Sequence, residues 1–504
     1  MNNKPSLILN KVTAAGLIWS VFHTSFSRPK GIILHFFTYI CSMKTPKLLA
    51  LAAFLLTAAS CSNGKGEIAE PAPKPKPTNP TAPSGSETEP EFIFDTDLFE
   101  KHTDENSGVV SYLLKSGAGG WECSQSNYFN SVSMTEDERF IFFFGLNKNF
   151  AKNEERNGVI LDLKTRKFYN VPHTYFHSFP YLDPKEDKLY YGYVYDNKTR
   201  ATFYRRDLLE DPSKDIKLVD LPSSLIFSAG DGYPLKRLAS HLTLTQDKSK
   251  VFLDMRINDD FVYGLLDLKT AAWEEWGRTD VNLTHGQLNP VRDDIALMAI
   301  DTYTKLSTGE KVEIEYDEDG TFPRLQLVKK GGYRETLKPD MTRDKTQYPG
   351  GYASHENWDV SGEYVYWCSG GACIRNLANR DDFKKYDYSN GASWASHSTF
   401  SKGLEYITFD DQSLDFYRGC RWRVAFYNIK KGEMVYIYTL LPALVSKEEY
   451  NGNATTKNIM DTLHPDPHPQ FVCNDKYIIC TAQGSDKTLR LSITPVDQLI
   501  ELTK

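Results

Sequence analysis

The stretch His355–Val365, HENWDVSGEYV, decides the fold once four others are set beneath it. They are HLTLTQDKSKV from His241, HGQLNPVRDDI from His285, HSTFSKGLEYI from His397 and HPQFVCNDKYI from His468. The five align without a gap. Three positions after each histidine comes a large apolar side chain, at Leu244, Leu288, Trp358, Phe400 and Phe471. Ten positions after it comes a β-branched one, at Val251, Ile295, Val365, Ile407 and Ile478. A polar, turn-like stretch lies between. The chain has 11 histidines in all, so five in one register mark a structural repeat with one histidine per unit.

Two more units lie upstream without the histidine. SVSMTEDERFIFFFG from Ser131 is followed by GVILDLKTRKFYNV, and FPYLDPKEDKLYYGYVY from Phe179 is followed by TFYRRDL. Ser131 and Phe179 stand where the histidine would. All seven units are short runs rich in β-branched and aromatic residues, separated by turns, with no long amphipathic helix. The turn Asp162-Leu163-Lys164-Thr165 recurs at Asp267-Leu268-Lys269-Thr270. A chain of 504 residues would otherwise suggest about three domains, but stacked repeats share one core. The pattern predicts an all-β, seven-bladed β-propeller over residues 95–504, with a β-helix or a pair of β-sandwiches as the alternative. If the histidine opens the innermost strand of each blade, blades three to seven present an arc of imidazoles at one mouth of the central channel.

Aromatic residues make up 13% of the chain, as a strand-rich fold favours. The net charge of −7 gives no general attraction to nucleic acid; a polyanionic ligand would need a local basic or metal site. Residues 1–42 read as an over-long start. Residues 43–60, with Lys44, Lys47, an apolar run from Leu48 to Leu56 and small residues before Cys61, resemble a bacterial lipoprotein signal. Cys61 would then be lipidated and anchor the protein to a membrane of the cell envelope, periplasmic or outer-membrane associated. Residues 61–94, which include EPAPKPKPTNPTAPSGSETEPE, would form a disordered tether. Cys368 and Cys373 flank SGGA and could staple a hairpin in an oxidising compartment. No CxxC pair suggests a cysteine zinc site.

Several imidazoles converging on one cavity suit a transition metal, with one left to move a proton near neutral pH. The structural alternative is a polar residue kept at each strand start to bond a turn. His173, His177 and His464 lie near unit starts but out of register.

At this point a family resemblance enters. SNYFNSVSMTEDERFIFF from Ser126, THGQLNP from Thr284, SHENWDVSGEYVYW from Ser354 and HPDPHPQFVCNDKYIICTA from His464 together resemble the oligogalacturonate lyase family. Asn127-Tyr128-Phe129 and His355-Glu356-Asn357-Trp358 are the most specific pieces, and the likeness spans nearly the whole propeller. It implies a seven-bladed propeller that cleaves short pectin fragments by β-elimination with a manganese-type divalent metal. His285 would be the base, and His355 and His468 would hold the metal. Arg256, in FLDMRIND, is the candidate for neutralising the uronate carboxylate or binding substrate, with an ordinary salt bridge as the alternative. Asp466 stands where the family has a ligand histidine, and an upstream glutamine has no counterpart. Asp466 can ligate manganese, and His397 or His464 could compensate. The expected partner is an acidic oligosaccharide; oligomeric state is not read from the sequence. Two other functions stay open: a non-catalytic lipoprotein propeller binding a glycan or protein, and a glycan-active propeller using a different uronate or a glycosidase mechanism.

Overall fold

The computed structural model describes Phe94 and residues 97–147, 157–171, 179–195, 199–226, 235–305, 324–337, 353–369, 371–386, 395–412, 422–463 and 465–504. The signal, Cys61, residues 62–93 of the tether and His173, His177 and His464 fall outside them; Phe94, the last residue assigned to the tether, is instead buried against Phe99 and Tyr477. The strands form seven antiparallel sheets, as the repeat predicts. In chain order blade 1 spans residues 123–171, blade 2 181–220, blade 3 235–279, blade 4 281–336, blade 5 354–386 and blade 6 395–441. Blade 7 begins at residue 470.

Each sheet is sandwiched between two others, so its central strands are buried on both faces and read as near-continuous apolar runs. Phe140–Leu146 in blade 1 and Tyr477–Gln483 in blade 7 are buried at every position. Alternation then sends neighbouring side chains to different blades. In Lys250–Ile257, Val251, Leu253 and Met255 pack with Tyr190, Phe203 and Val219 of blade 2. Phe252, between them, packs with Leu283, Ala296 and Met298 of blade 4. Seven such apolar clusters each join one adjacent pair of blades, and the last joins blade 7 back to blade 1.

The closure of the ring departs from the simple reading in which the seventh unit ends near the carboxyl end. Blade 7 is built from Gln470–Val472, Tyr477–Gln483 and Leu489–Pro495, followed outward by Val110–Leu114 and Phe99–Thr103 from the other end of the propeller. Tyr112 pairs with Ile493 and Leu113 with Ser492. The helix Val496–Leu502 locks the seam: the Gln498 side chain accepts from Val110 N at 2.9 Å and donates to Val110 O at 2.7 Å. Pairing the last strand with the first satisfies an edge that a ring of separate units would leave open.

The proposed Cys368–Cys373 staple does not form. Cys368 pairs with Ala372 and Trp367 with Cys373, so the two thiols point to opposite faces of the hairpin. Cys368 Sγ lies 3.3 Å from Ser398 Oγ of blade 6, whereas Cys373 packs against blade 4. Both side chains are buried thiols, and burial pushes the Cys368 thiol up to about 12.

Candidate active site

The histidines lie where the innermost strands lose register. Pairing with the second strand skips between Thr284 and Gln287 in blade 4, Ser354 and Asn357 in blade 5, and Ala395 and Ser398 in blade 6. Each skip lifts the histidine out of the ladder. His285, His355 and His468 also take positive φ values of 56°, 55° and 49°. Such a backbone costs a non-glycine residue on the order of 1–3 kcal/mol and persists only where surroundings enforce it. In blade 3 the innermost strand is divided into Leu235–Arg237 and Thr243–Leu244, with His241 in the gap. In blades 4 to 6 the histidine therefore lies within the strand instead of opening it as expected; His285 is the fifth residue of Val281–Leu288. It marks a bulge, and the bulge re-aims its ring.

The result is one cluster. His355 and His397 have ring centroids 4.1 Å apart, His397 and His468 4.2 Å, and His241 and His285 6.1 Å. Tyr128 and Phe129 of blade 1 enter its centre. Tyr128 lies 4.6 Å from His468 and stacks on His241 at 5.2 Å, while Phe129 lies 5.9 Å from His355. Gln470 holds this inserted segment, donating to the carbonyls of Asn127 and Tyr128 and accepting from Ser133 N.

The buried part has the donor set of a metal site. Ligand atoms of His397, Asp466 and His468 lie within 4.8 Å of one another. His355 is outside that trio but abuts it through His397. Nδ1 of His397 is 2.8 Å from Oδ2 of Asp410, which leaves Nε2 as its ligand nitrogen. Asp410 also accepts the backbone N–H groups of His397 and His468, so one carboxylate sets the position of two ligand residues. Burial holds His397 down at about 3, in the uncharged form that a metal requires, and pushes the Asp410 carboxyl up. Two imidazoles and a carboxylate, with a carboxylate behind, fit a divalent ion of the manganese–zinc series. Asp466, standing at a position where the resembled family has histidine, is part of this trio.

The solvent-facing part is different. His285 is 28% exposed, and its Nδ1 lies 2.8 Å from Oε1 of Glu356, which is 1% exposed. Burial alone would raise the Glu356 carboxyl, but the Arg324 guanidinium and His285 outweigh it and hold it well below the usual range. Glu356 is thus an ionised acceptor, so Nδ1 of His285 carries the proton and Nε2 the lone pair. Arg324 reaches Oε2 of Glu356 at 3.4 Å. On the backbone side, His285 N donates to Ser240 Oγ at 3.0 Å, and Ser240 Oγ donates to Asp254 Oδ2 at 2.6 Å. Gly286 N reaches the same oxygen at 3.3 Å. A Cβ at Gly286 would meet Asp254 Cβ at 3.0 Å and Phe252 Cε1 at 2.8 Å, so only glycine allows this approach.

Arg256 lies on the face of its strand that carries Phe252 and Asp254, and hence faces blade 4. Among the described residues no hydrogen bond joins it to His285 or Glu356. The arginines tied into that network are Arg324 and Arg237, whose Nη2 is 3.3 Å from Asp254 Oδ2. Sequence reading missed both, along with Asp410 and the role of Glu356. One signal was present: thirteen residues after His241 and His397 stand Asp254 and Asp410, buried carboxylates on the second strands.

His241 differs from its partners. It is buried, stacked on Tyr128 and on Phe179 at 5.6 Å, and its Nδ1 has no hydrogen-bond partner among the described residues. A cavity of about 580 Å³ at the opposite mouth has His241 and Phe129 in its wall but none of the other four register histidines. In its wall Lys248 is paired with Asp183 and Lys402 with Glu136.

No protein-family model and no curated protein matches the chain in sequence. Among solved structures it is similar to an oligogalacturonate lyase in complex with manganese, at 16% identity and a TM-score of 0.54, covering 79% of this chain and 96% of that one. It is also similar to an oligogalacturonate lyase from Vibrio parahaemolyticus, at 15% identity and a TM-score of 0.50 with the same coverage. At these identities the likeness is one of fold.

Proposed function

We propose that this protein is a metal-assisted polysaccharide lyase that cleaves uronate-containing oligosaccharides of the oligogalacturonide type by β-elimination. One observation carries the reading: a solvent-facing histidine, its tautomer fixed by a buried glutamate, stands among arginines in the same histidine cluster as a buried His-Asp-His trio. The C5 proton of a uronate lies beside a carboxylate and is only weakly acidic. Neutralising that carboxylate stabilises the enolate-like transition state, and the arginines facing His285 supply the charge. Nε2 of His285 takes the C5 proton, and the released pair forms the C4–C5 double bond. The glycosidic oxygen leaves C4 with the bonding pair and is protonated from solvent. A divalent ion, manganese by analogy with the solved lyase, would be held by His397, Asp466 and His468 beside His355 and would supply Lewis-acid charge to the substrate carboxylate. In this reading lipidated Cys61 and the tether hold the enzyme at the cell envelope.

The test is incubation with oligogalacturonides, with and without Mn²⁺, following ultraviolet absorbance of the unsaturated product. Turnover that depends on the metal and disappears in His285→Ala is expected. Silence across a panel of uronates despite bound metal would overturn the lyase reading and leave a glycan- or protein-binding propeller.

A further inference from the structure

Tyr128 stands near the axis of the propeller. Its ring stacks on Phe179 at 5.0 Å and on His241 at 5.2 Å, and meets His468 at 4.6 Å and His397 at 5.9 Å. These are the register positions of blades 2, 3, 7 and 6. The next residue, Phe129, lines the cavity at the opposite mouth, and Tyr128 does not. Tyr128 is nevertheless partly exposed, so its open part belongs to the histidine mouth. Gln470 secures the backbone end of the residue, and neighbouring rings lie along its faces. That leaves the far edge, with the hydroxyl, to the open side. The phenol thus floors the mouth between two groups. On one side is His241, whose ring lies 6.1 Å from that of His285; on the other is the His-Asp-His trio.

We infer that the Tyr128 hydroxyl donates the proton that the glycosidic oxygen takes up as it leaves C4. The inference rests on the lyase reading and gives that reaction a second catalytic residue. In a galacturonide the C5–H and C4–O bonds are both axial and point to opposite faces of the sugar. The group that takes the C5 proton therefore cannot hand it to the leaving oxygen, and a donor must stand apart from His285. Tyr128 meets that demand: the two are linked through His241 and make no direct ring contact among the described residues, a spacing that a sugar ring can occupy. The neighbouring histidines are otherwise committed, His241 to a buried stack and His397 and His468 to the trio. The step balances. The C5 proton goes to Nε2 of His285, its bonding pair becomes the C4–C5 double bond, and the C4–O pair leaves with the oxygen. That oxygen takes the phenolic proton, and solvent reprotonates the phenolate, so the proton still comes from water but by way of Tyr128. A phenol is a stronger acid than the sugar hydroxyl it produces, which favours the transfer.

The experiment compares two substrates that differ in their leaving group. One is digalacturonate, whose glycosidic oxygen needs a proton. The other is methyl galacturonide with fluorine in place of oxygen at C4, whose fluoride leaves without one. Wild type, Tyr128→Phe and His285→Ala, each as the full chain supplied with Mn²⁺, are followed through absorbance of the unsaturated product. Tyr128→Phe should lose about 10²–10⁴-fold in kcat on digalacturonate, the usual worth of a general acid, and keep wild-type turnover of the fluoride. His285→Ala should lose both. Metal content and melting temperature of Tyr128→Phe should match wild type, because the ring stays in its stack. A folded Tyr128→Phe protein that loses both substrates equally, or neither, would overturn the donor. A measurement on wild type alone covers a variant that does not fold: kcat on digalacturonate should fall in deuterium oxide and kcat on the fluoride should not, and equal responses would also overturn it. Failure of the lyase reading has another signature, which takes the donor with it: wild type then forms unsaturated product from neither substrate.

Discussion

His285 and His397 occupy the same position of the same repeat and have been given opposite environments. His397 is 1% exposed, bound through Nδ1 to Asp410 of its own blade, and held uncharged by burial. His285 faces solvent and is bound through Nδ1 to Glu356 of the next blade, an ionised carboxylate secured by Arg324. In both, a carboxylate takes Nδ1 and leaves Nε2 for chemistry. What differs is access and charge: one imidazole can meet only what enters the buried trio, and the other can meet a substrate. Register places a histidine in each blade, and the carboxylate and solvent around it decide its chemistry.

The comparison breaks most sharply at His285. His285→Ala should lower kcat/KM on oligogalacturonides about 10²–10⁴-fold, the usual worth of a general base, while metal content and melting temperature stay as in wild type. Loss of bound metal in this variant would mean that the two environments form one site. Next in size is Asp410→Asn, expected to weaken Mn²⁺ binding roughly 10–100-fold by titration, since it removes the carboxylate behind a ligand histidine. A folded Asp410→Asn protein with unchanged affinity would remove His397 from the ligand set. Glu356→Gln should cost about tenfold to hundredfold in kcat with little change in metal affinity, because a charged hydrogen bond to His285 becomes a neutral one.

The smallest effect concerns His241. Burial, with the neighbouring His285 and Arg237 adding to it, holds this imidazole uncharged. An unfolded chain takes up a proton at His241 below about pH 6.5 that the folded chain refuses, so this residue subtracts stability as pH falls. His241→Phe, matching Phe179 at the same position in blade 2, should be close to neutral at pH 8. At pH 5.5 it should be more stable than wild type by about 1.4 kcal/mol, one pH unit below the free imidazole value. Denaturant melts at the two pH values measure this; an equal effect at both would show that the ring is not held uncharged.

The blade count was legible because each blade repeats the apolar positions that pack on its neighbours, and these leave a period in the sequence. Grouping of His355, His397 and His468 followed from that period, and Asp466 entered through the family resemblance. The bulges were not legible. Nothing in HENW or HGQL announces a positive φ, since the backbone is turned by pairings with strands of other residues. The carboxylate and guanidinium partners were hidden for a related reason: Glu356 meets His285 across 71 residues of chain, and Arg324 reaches Glu356 across 32. Arg237 lies in the extra strand fragment before His241, ahead of the register that defined the repeat. Arg256 was chosen from the sequence, and the structure puts it on the strand face that carries Asp254, with no hydrogen bond to His285 or Glu356 among the described residues.

The seam in blade 7 bears on how the molecule is made. Ser111 Oγ meets Thr494 Oγ1 at 2.8 Å across 383 residues of chain. Blades 1 and 7 lack one neighbour until that join is made, so the strand that leaves the ribosome among the first waits for one of the last. Contacts of such separation slow folding and keep apolar surface exposed during synthesis. A chain that cannot close its ring while it is being made keeps its seam open to the end of synthesis.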